Sequence, residues 1–368
     1  KVPGFCGFDA SRYGGNMKRL PIYFLIGLLC AAGVVLVWMR NPGGVPDAGR
    51  EASSPSPSNV PAMRIPVPPR IAGAHSPVGV PPSPVASTTA EIGKLPQMAG
   101  AKVSEHVTII IGDDSMNRSY LQRATALKKL TRQIGPNDLQ SLMVFLDTRL
   151  VDQKEMSVLQ FNSLKNDVLD VLIKQDTVPE GLGTYMVRMY KDATHDDTWR
   201  DYCIQYMAPY HQRKWEAGKE IAADEERSAI TNALWEAAGR HEKSTAGTAM
   251  IGLQNLAENY PDVDKKQLGD LAAGTASDER AVEGARITAF SISSMLGRSE
   301  VLPAARIVAQ TGETVVLQMA AIRVLGDLGE ARDQELLRSL AAGKEKRVVT
   351  LAAKALTRLQ ERLKSAQG

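Results

Sequence analysis

The sequence has few of the residues that build metal, nucleotide or disulfide sites. Of its three cysteines, only Cys203 lies beyond the first 100 residues, so no disulfide framework is predicted. It has no glycine-rich phosphate loop, no paired-cysteine metal motif and no two histidines four residues apart. His195, Asp196 and Asp197, with His211 further along, are the one grouping of metal-ligand types, and an aspartate before a helix ordinarily caps it. We therefore predict no catalytic residue, no cofactor-binding residue and no metal ligand, and hence a protein that is not an enzyme.

The sequence also lacks the excess of positive charge that nucleic-acid-binding proteins carry. Residues 1–99 contain nine Lys/Arg and four Asp/Glu residues, whereas residues 100–368 contain 35 and 37. The larger part is therefore close to neutral, without the basic footprint needed to neutralise phosphates. We predict no nucleic-acid partner, and no small-molecule substrate is evident from the sequence.

A different absence marks the N-terminal region, because Leu20–Met39 contains no charged residue. Twenty helical residues match the ~30 Å hydrocarbon core of a bilayer, which predicts a single transmembrane helix. Lys18 and Arg19 before it favour an N-terminus inside the cell. A cleaved signal peptide and a buried core helix remain alternatives. Because Met17 resembles a natural start, residues 1–16 are expected to be an upstream extension and do not enter the fold prediction.

Prolines are concentrated between the anchor and the remainder of the chain. Residues 41–98 hold thirteen of the twenty prolines, separated by small residues. Such a segment builds neither helices nor central strands and is predicted to be an extended, partly polyproline II linker. A docking site for a proline-binding domain is the alternative. The anchor and linker together predict a repeat domain outside the cytoplasm, in the periplasm if the protein is bacterial.

Beyond the linker, apolar residues mainly recur with helical spacing. The exception is Val107–Ile111, a β-like run predicted as a lone strand or as a segment packed on the first helix. One stripe runs from Tyr120 to Ile134 and ends at Gly135 and Pro136, and Pro209 is expected to end a later helix. The other predicted helices of the second half lie at Thr198–Ala208, Asp224–Arg240, Ser244–Asn259, Asp264–Ala273, Ser277–Leu296 and Val301–Gln310.

The C-terminal end carries the clearest helical pattern and an internal repeat. Apolar stripes within Leu317–Leu328 and Val348–Leu363 enclose a shorter helix that Asp333 can cap, and Gly329 is expected to stop the first of them in a left-handed conformation. Leu268–Gly274 is echoed 69 positions later, about two units of helical-repeat length. Such a unit cannot bury its own apolar face and must stack on its neighbours.

These motifs resemble the HEAT-like repeat family, including its short bacterial form related to phycobilisome-lyase repeats. The resemblance is good over Thr245–Leu363 and looser over Leu139–Arg240. It implies an all-α fold, an α-solenoid of stacked helical hairpins, and usually a role in protein binding. The sequence thus predicts a tail (1–19), a transmembrane anchor (20–39), a proline-rich linker (40–99), divergent helical repeats (100–240) and HEAT-like repeats (241–368).

Aromatic residues cluster in one window of the divergent repeats, which holds five of the nine tyrosines. Aromatics at this spacing are typical of a core, and the alternative is a protein-binding patch. The candidate protein-binding residues are Tyr185, Tyr190, Trp199, Tyr202, Tyr206, Tyr210 and Trp215. We predict a membrane-anchored scaffold that binds another protein, of unknown identity, or an envelope component. The alternatives are a lyase-like or other enzyme with its site near residues 185–215, and a structural spacer or assembly factor.

Overall fold

The computed structural model describes residues 102–112, 118–149, 156–215, 224–261, 263–312 and 314–367. The predicted anchor and linker lie outside these residues. Among the described helices, none has the length and apolarity needed to cross a bilayer. The described residues form fourteen α-helices, a 3₁₀ turn at Ser299–Val301 and no strand. The helices are α1 (Glu105–Ile111), α2 (Tyr120–Leu127), α3 (Pro136–Asp147), α4 (Val158–Ile173), α5 (Leu182–Lys191), α6 (Asp197–Lys214), α7 (Glu225–Gly239), α8 (Thr245–Ala257), α9 (Lys265–Ser277), α10 (Glu283–Met295), α11 (Leu302–Thr311), α12 (Val315–Leu328), α13 (Asp333–Ala341) and α14 (Lys346–Ser365).

The helices stack as seven consecutive hairpins. Each odd-numbered helix packs against the even-numbered helix that follows it, and each even helix also packs on the next even helix, from α2 to α14. The even helices therefore form one continuous layer, with the odd helices as a second layer beside it. This arrangement confirms the prediction of an all-α fold and fits a HEAT-like α-solenoid.

The C-terminal hairpins show how the sequence produces this stacking. The Thr314 side chain caps α12 by accepting a hydrogen bond from the Leu317 amide at 3.2 Å. Leu325, on the apolar stripe of α12, is fully buried, as the periodicity predicts. Gly326 lies on the same helix, where an added Cβ would be 2.9 Å from Cα and Cβ of Ala355 in α14. The absence of a side chain at this glycine lets the two helices approach closely.

The prediction of a lone strand at Val107–Ile111 is wrong, because these residues lie in helix α1, whereas the alternative of a segment packed on the first predicted helix agrees with the packing of α1 on α2. Ser104 accepts a hydrogen bond from the Val107 amide and starts the helix, while Val107 and Ile110 are buried against neighbouring helices. Capping and tertiary burial therefore override the β preference of the branched side chains. The acidic pair after this run lies outside the described residues.

Several predicted helix boundaries also require correction. Helix α2 ends at Leu127, well before Gly135, and Pro136 begins α3 at the position where a missing N–H costs nothing. Helix α6 continues through Pro209 to Lys214. The predicted helix over Ser277–Leu296 begins only at Glu283, because a turn separates it from α9.

Gly329 ends α12 with φ −56°, so the predicted left-handed cap is wrong. The position still restricts the side chain, because an added Cβ would lie 2.2 Å from the Leu325 carbonyl oxygen. Asp333 begins α13 rather than capping it from outside, and its carboxylate accepts a hydrogen bond from the Glu330 amide at 2.7 Å. The end of α12 is therefore marked by the tight backbone at Gly329 and by the hydrogen bond between Asp333 and the Glu330 amide.

Candidate functional site

The seven aromatic residues predicted as a binding patch divide into two groups. Four of them are buried: Tyr190, Trp199, Tyr210 and Trp215. Their side chains belong to the hydrophobic core, and the rings of Tyr210 and Trp215 meet edge to face with centroids 6.0 Å apart. In this conformation these four side chains form core and offer little surface to a partner, so the predicted patch is narrowed to the other three.

Two of the remaining three, Tyr202 and Tyr206, lie together on α6, whereas Tyr185 lies on α5 in the other layer. The guanidinium of Arg188 stacks on the ring of Tyr185 at 4.4 Å from its centroid. Tyr202 and Tyr206 are half-buried and project from the outer side of the even layer between α4 and α8. We call this side, formed by the outward-projecting residues of α4, α6, α8 and α10, the even-helix face.

Carboxylates surround these two tyrosines. Asp167 and Asp170 lie one turn apart on α4, and Asp201 lies on α6 next to Tyr202. Burial, together with the neighbouring charge of Asp170, raises the pKa of Asp167. Burial likewise raises the pKa of Asp201, although a hydrogen bond with Thr248 of α8 acts in the opposite direction. This part of the face therefore concentrates negative charge in a partly desolvated environment.

Burial and the same carboxylates also raise the pKa values of the two phenols. Burial raises the pKa of Tyr206, and the charges of Asp170 and Asp167 raise it further. Burial and the charges of Asp201 and Asp167 raise the pKa of Tyr202 in the same way. Both phenols therefore remain neutral at physiological pH, close to the carboxylates. We call Asp167, Asp170, Asp201, Tyr202 and Tyr206 the acidic–tyrosine patch.

Pro209 adds a backbone acceptor beside the patch. It is exposed in the interior of α6 and has no N–H, so the carbonyl of Gln205 loses its usual intrahelical donor. Gln205 is itself exposed on the same side of the helix, one turn before Pro209. The sequence reasoning identified the tyrosines here but missed the three aspartates. Their signal was the spacing of Asp167 and Asp170 on one helix face, with Asp201 beside Tyr202.

Beneath this surface lies a buried amine, Lys165. The side chain is 1% exposed, and its Nζ donates a hydrogen bond to the Thr148 carbonyl oxygen at 3.0 Å. The Nζ atom lies 4.2 Å from the ring centroid of Trp199 and 5.2 Å from that of Phe161. Burial lowers the pKa of Lys165 to about 7 despite the nearby charge of Asp147. Cys203 lies close by, fully buried, and burial raises the pKa of its thiol, as befits a structural thiol rather than a nucleophile.

The grouping around His195 has structural contacts. Asp196 caps α6 by accepting a hydrogen bond from the Thr198 amide at 3.0 Å. The ring Nε2 of His195 lies 3.1 Å from Asp147, and this hydrogen bond holds the pKa of that carboxyl below its ordinary value. In the described part of the chain, no three His, Cys, Asp or Glu side chains group closely enough to hold a metal ion.

Two concavities lie away from the patch. An open groove of about 340 Å³ lies between α1 and α2, with His106 and Leu121 in its wall. A cleft of about 40 Å³, between Tyr190, Arg200 and Lys243, lies within the window where an enzymatic site was considered. A space of this size is suited to water rather than to a small-molecule substrate.

No protein-family model matches the chain, and no curated protein matches it in sequence. Among solved structures, the chain is similar to human deoxyhypusine hydroxylase in complex with glycerol. The identity is 12%, the TM-score is 0.30, and the match covers 69% of this chain and 95% of the hydroxylase chain. A likeness at this level assigns no activity to the chain.

The comparison nevertheless contradicts one prediction. The absence of catalytic motifs was the ground for predicting a protein that is not an enzyme, yet the matched chain is named as a hydroxylase. Because one fold can carry unrelated functions, a missing catalytic motif does not exclude activity, and we withdraw that prediction.

Proposed function

We propose that this chain is a membrane-anchored helical-repeat scaffold that binds a segment of another protein on its even-helix face. The observation that carries the proposal is the acidic–tyrosine patch. Two half-buried tyrosines and three carboxylates lie close together on α4 and α6, and Gln205 and Pro209 are exposed beside them. Tyrosines that combine an apolar ring with a polar tip are enriched at protein interfaces.

The rest of the even-helix face supports this role. Ile251 on α8 is 40% exposed and lies about one turn after Thr248, the residue that contacts the patch. Met295 at the end of α10 is 42% exposed on the next even helix. Apolar side chains exposed in succession beside an aromatic patch are suited to a partner segment that runs across the stacked helices.

The finer assignment rests on the sequence motifs. We place the repeats in the short bacterial HEAT-like type related to phycobilisome-lyase repeats, on the motif within Leu317–Leu328 and its counterpart in α14. We further propose that Leu20–Met39 anchors the protein with its N-terminus inside, and that residues 40–99 tether the repeats outside the cytoplasm. Lys18 and Arg19 support this orientation.

Fusion of a reporter after Gly368 tests the orientation. A reporter that works only outside the cytoplasm should be active, and one that needs the cytosol should be inactive. The protein should remain with membranes after a carbonate wash, because an apolar span does not depend on electrostatic contacts. A working cytosolic reporter would reverse the topology, and release of a chain without Leu20–Met39 would indicate a cleaved signal peptide.

Site-specific photo-crosslinking in the source cells tests the binding surface. A photoreactive residue at Gln205 or Ile251 should give the same discrete protein adduct, whereas one at Ile307, 57% exposed on odd helix α11, should not. Adding Tyr202→Ala should abolish the Ile251 adduct without lowering the amount of protein. Adducts of equal yield at Ile251 and Ile307, or no effect of Tyr202→Ala, would show that the even-helix face is not the binding surface.

A further inference from the structure

We infer that the acidic–tyrosine patch recognises an arginine side chain on the bound protein segment. The inference rests on the proposed function and specifies the chemistry of its partner. It combines the charge of the patch, its aromatic surfaces and the acceptor freed by Pro209.

The first step concerns Asp201, the one carboxylate of the patch for which the described residues show no cation. Asp170 has a cation, since the ammonium of Lys174 lies 2.7 Å from its carboxylate, and Asp167 has a hydrogen bond with Asn166 and the charge of Lys128, just after α2. Asp201 is contacted by the neutral Thr248, and its Oδ1 is buried without a hydrogen-bond partner. An acceptor in this state is costly, and a small rotation about the terminal carboxylate torsion would turn it towards an arriving donor.

The second step concerns the tyrosine rings. Tyr202 and Tyr206 lie four residues apart on α6, with Asp167 and Asp170 beside them on α4. A cation over an aromatic face is attracted by the ring quadrupole, and the attraction is larger where water is partly excluded. The same chain uses this contact elsewhere, in the stacking of Arg188 on Tyr185. Rings flanked by carboxylates thus attract a cation through both the ring face and the charge.

The third step selects arginine over lysine. A guanidinium is planar, stacks on aromatic faces and carries five donors in a fixed fork, whereas an ammonium is a compact and strongly hydrated charge. The patch offers several acceptors, namely the carboxylates of Asp167 and Asp201 and the backbone carbonyl of Gln205. A donor fork that lies on a ring and bonds at its edges satisfies this set better than a point charge.

The experiment uses the full-length protein in detergent and a fluorescent Gly-Ser peptide containing four arginines. Matched peptides carry lysine or the neutral isostere citrulline at the same positions, and binding is followed by fluorescence anisotropy at physiological salt. We expect the arginine peptide to bind, the lysine peptide to bind at least threefold more weakly, and the citrulline peptide not to bind. Equal binding of the arginine and citrulline peptides would overturn the inference.

Charge-matched variants place the interaction on the patch. Asp167→Asn with Asp201→Asn should weaken arginine-peptide binding about tenfold. Glu279→Gln with Glu335→Gln removes the same charge from exposed positions away from the patch and should change it less than twofold. Equal losses in the two double variants would show attraction to net charge alone and would overturn the inference.

A second variant keeps the test valid if the aspartate double variant folds poorly. Gln205→Arg adds a positive charge at an exposed position beside the patch and should weaken binding about tenfold, whereas Gln205→Glu should strengthen it. Opposite or absent effects would overturn the inference. If the crosslink at Gln205 persists while arginine peptides fail to bind, the scaffold function stands and only the arginine assignment is wrong.

Discussion

Lys165 provides the sharpest test of the packing between α4 and α6. Its Nζ is enclosed by Trp199, Phe161 and the Thr148 carbonyl, and burial lowers its pKa to about 7 from the ordinary 10.5. Between these two values the unfolded chain holds a proton on this amine and the folded chain does not. Because the unfolded state binds more protons, the free energy of unfolding should rise as the pH rises through this window.

The size of this increase in the free energy of unfolding follows from the difference of one bound proton between the two states. A difference of one bound proton gives a slope of about 1.4 kcal/mol per pH unit, so stability should rise by about 2 kcal/mol between pH 7.5 and 9. Lys165→Met has no proton to bind and should lose this slope. The unfolded thiol of Cys203 loses its proton in the upper part of this range and lowers the stability of both proteins, so the contribution of the amine is the difference in slope between the unmodified fragment and Lys165→Met.

Urea unfolding of the fragment 100–368, followed by circular dichroism at four pH values between 7.5 and 9, measures the effect. The control is Lys174→Met on the same helix, whose ammonium is 64% exposed and lies in water in both states. It should keep the slope of the unmodified fragment. Identical slopes for the unmodified fragment and for Lys165→Met would refute the reasoning, because the buried amine would then keep its ordinary proton affinity.

Three further changes test the C-terminal repeats by the same unfolding measurement. Leu325→Asp puts an unpaired charge on a fully buried position and should cost several kcal/mol, whereas the exposed Lys354→Asp should cost less than about 1 kcal/mol, and equal losses would mean that the buried face is wrong. Asp333→Asn should cost about 2 kcal/mol, because the buried carboxylate receives two bonds from Arg306, at 2.6 and 3.0 Å, and a loss below 0.5 kcal/mol would contradict this account. Gly326→Val should cost at least about 1 kcal/mol by forcing α12 and α14 apart, and an unchanged urea midpoint would show that the helices can separate freely.

Periodicity predicted the helices of the C-terminal repeats because each one has a continuous apolar stripe and a clear end. It failed at Val107–Ile111, where a serine cap and burial decided the conformation of a β-branched run. It also failed at Pro209, which occupies an exposed position where its ring and missing N–H are tolerated. Leu121, assigned to a buried stripe, is 73% exposed, because the partner of a helix face cannot be read from the helix itself.

The candidate site was less predictable than the fold. The tyrosines of α6 stood out by number, but spacing could not separate the half-buried Tyr202 from the buried Tyr210 on the same helix. The approach of Asp167 to Tyr202 depends on the register between α4 and α6. Register between repeats is set by side-chain packing across two helices, and no local pattern in either helix contains it.

The two layers of the stack differ mechanically. In the C-terminal half, successive even helices pack closely, whereas successive odd helices meet only slightly, and the ion pair of Arg306 with Asp333 joins α11 to α13 across that gap. When a force bends the repeats, the odd helices should therefore separate while the even helices stay in contact. The even-helix face would keep its spacing during such bending. Loss of the ion pair between Arg306 and Asp333 should make α11 and α13 easier to separate.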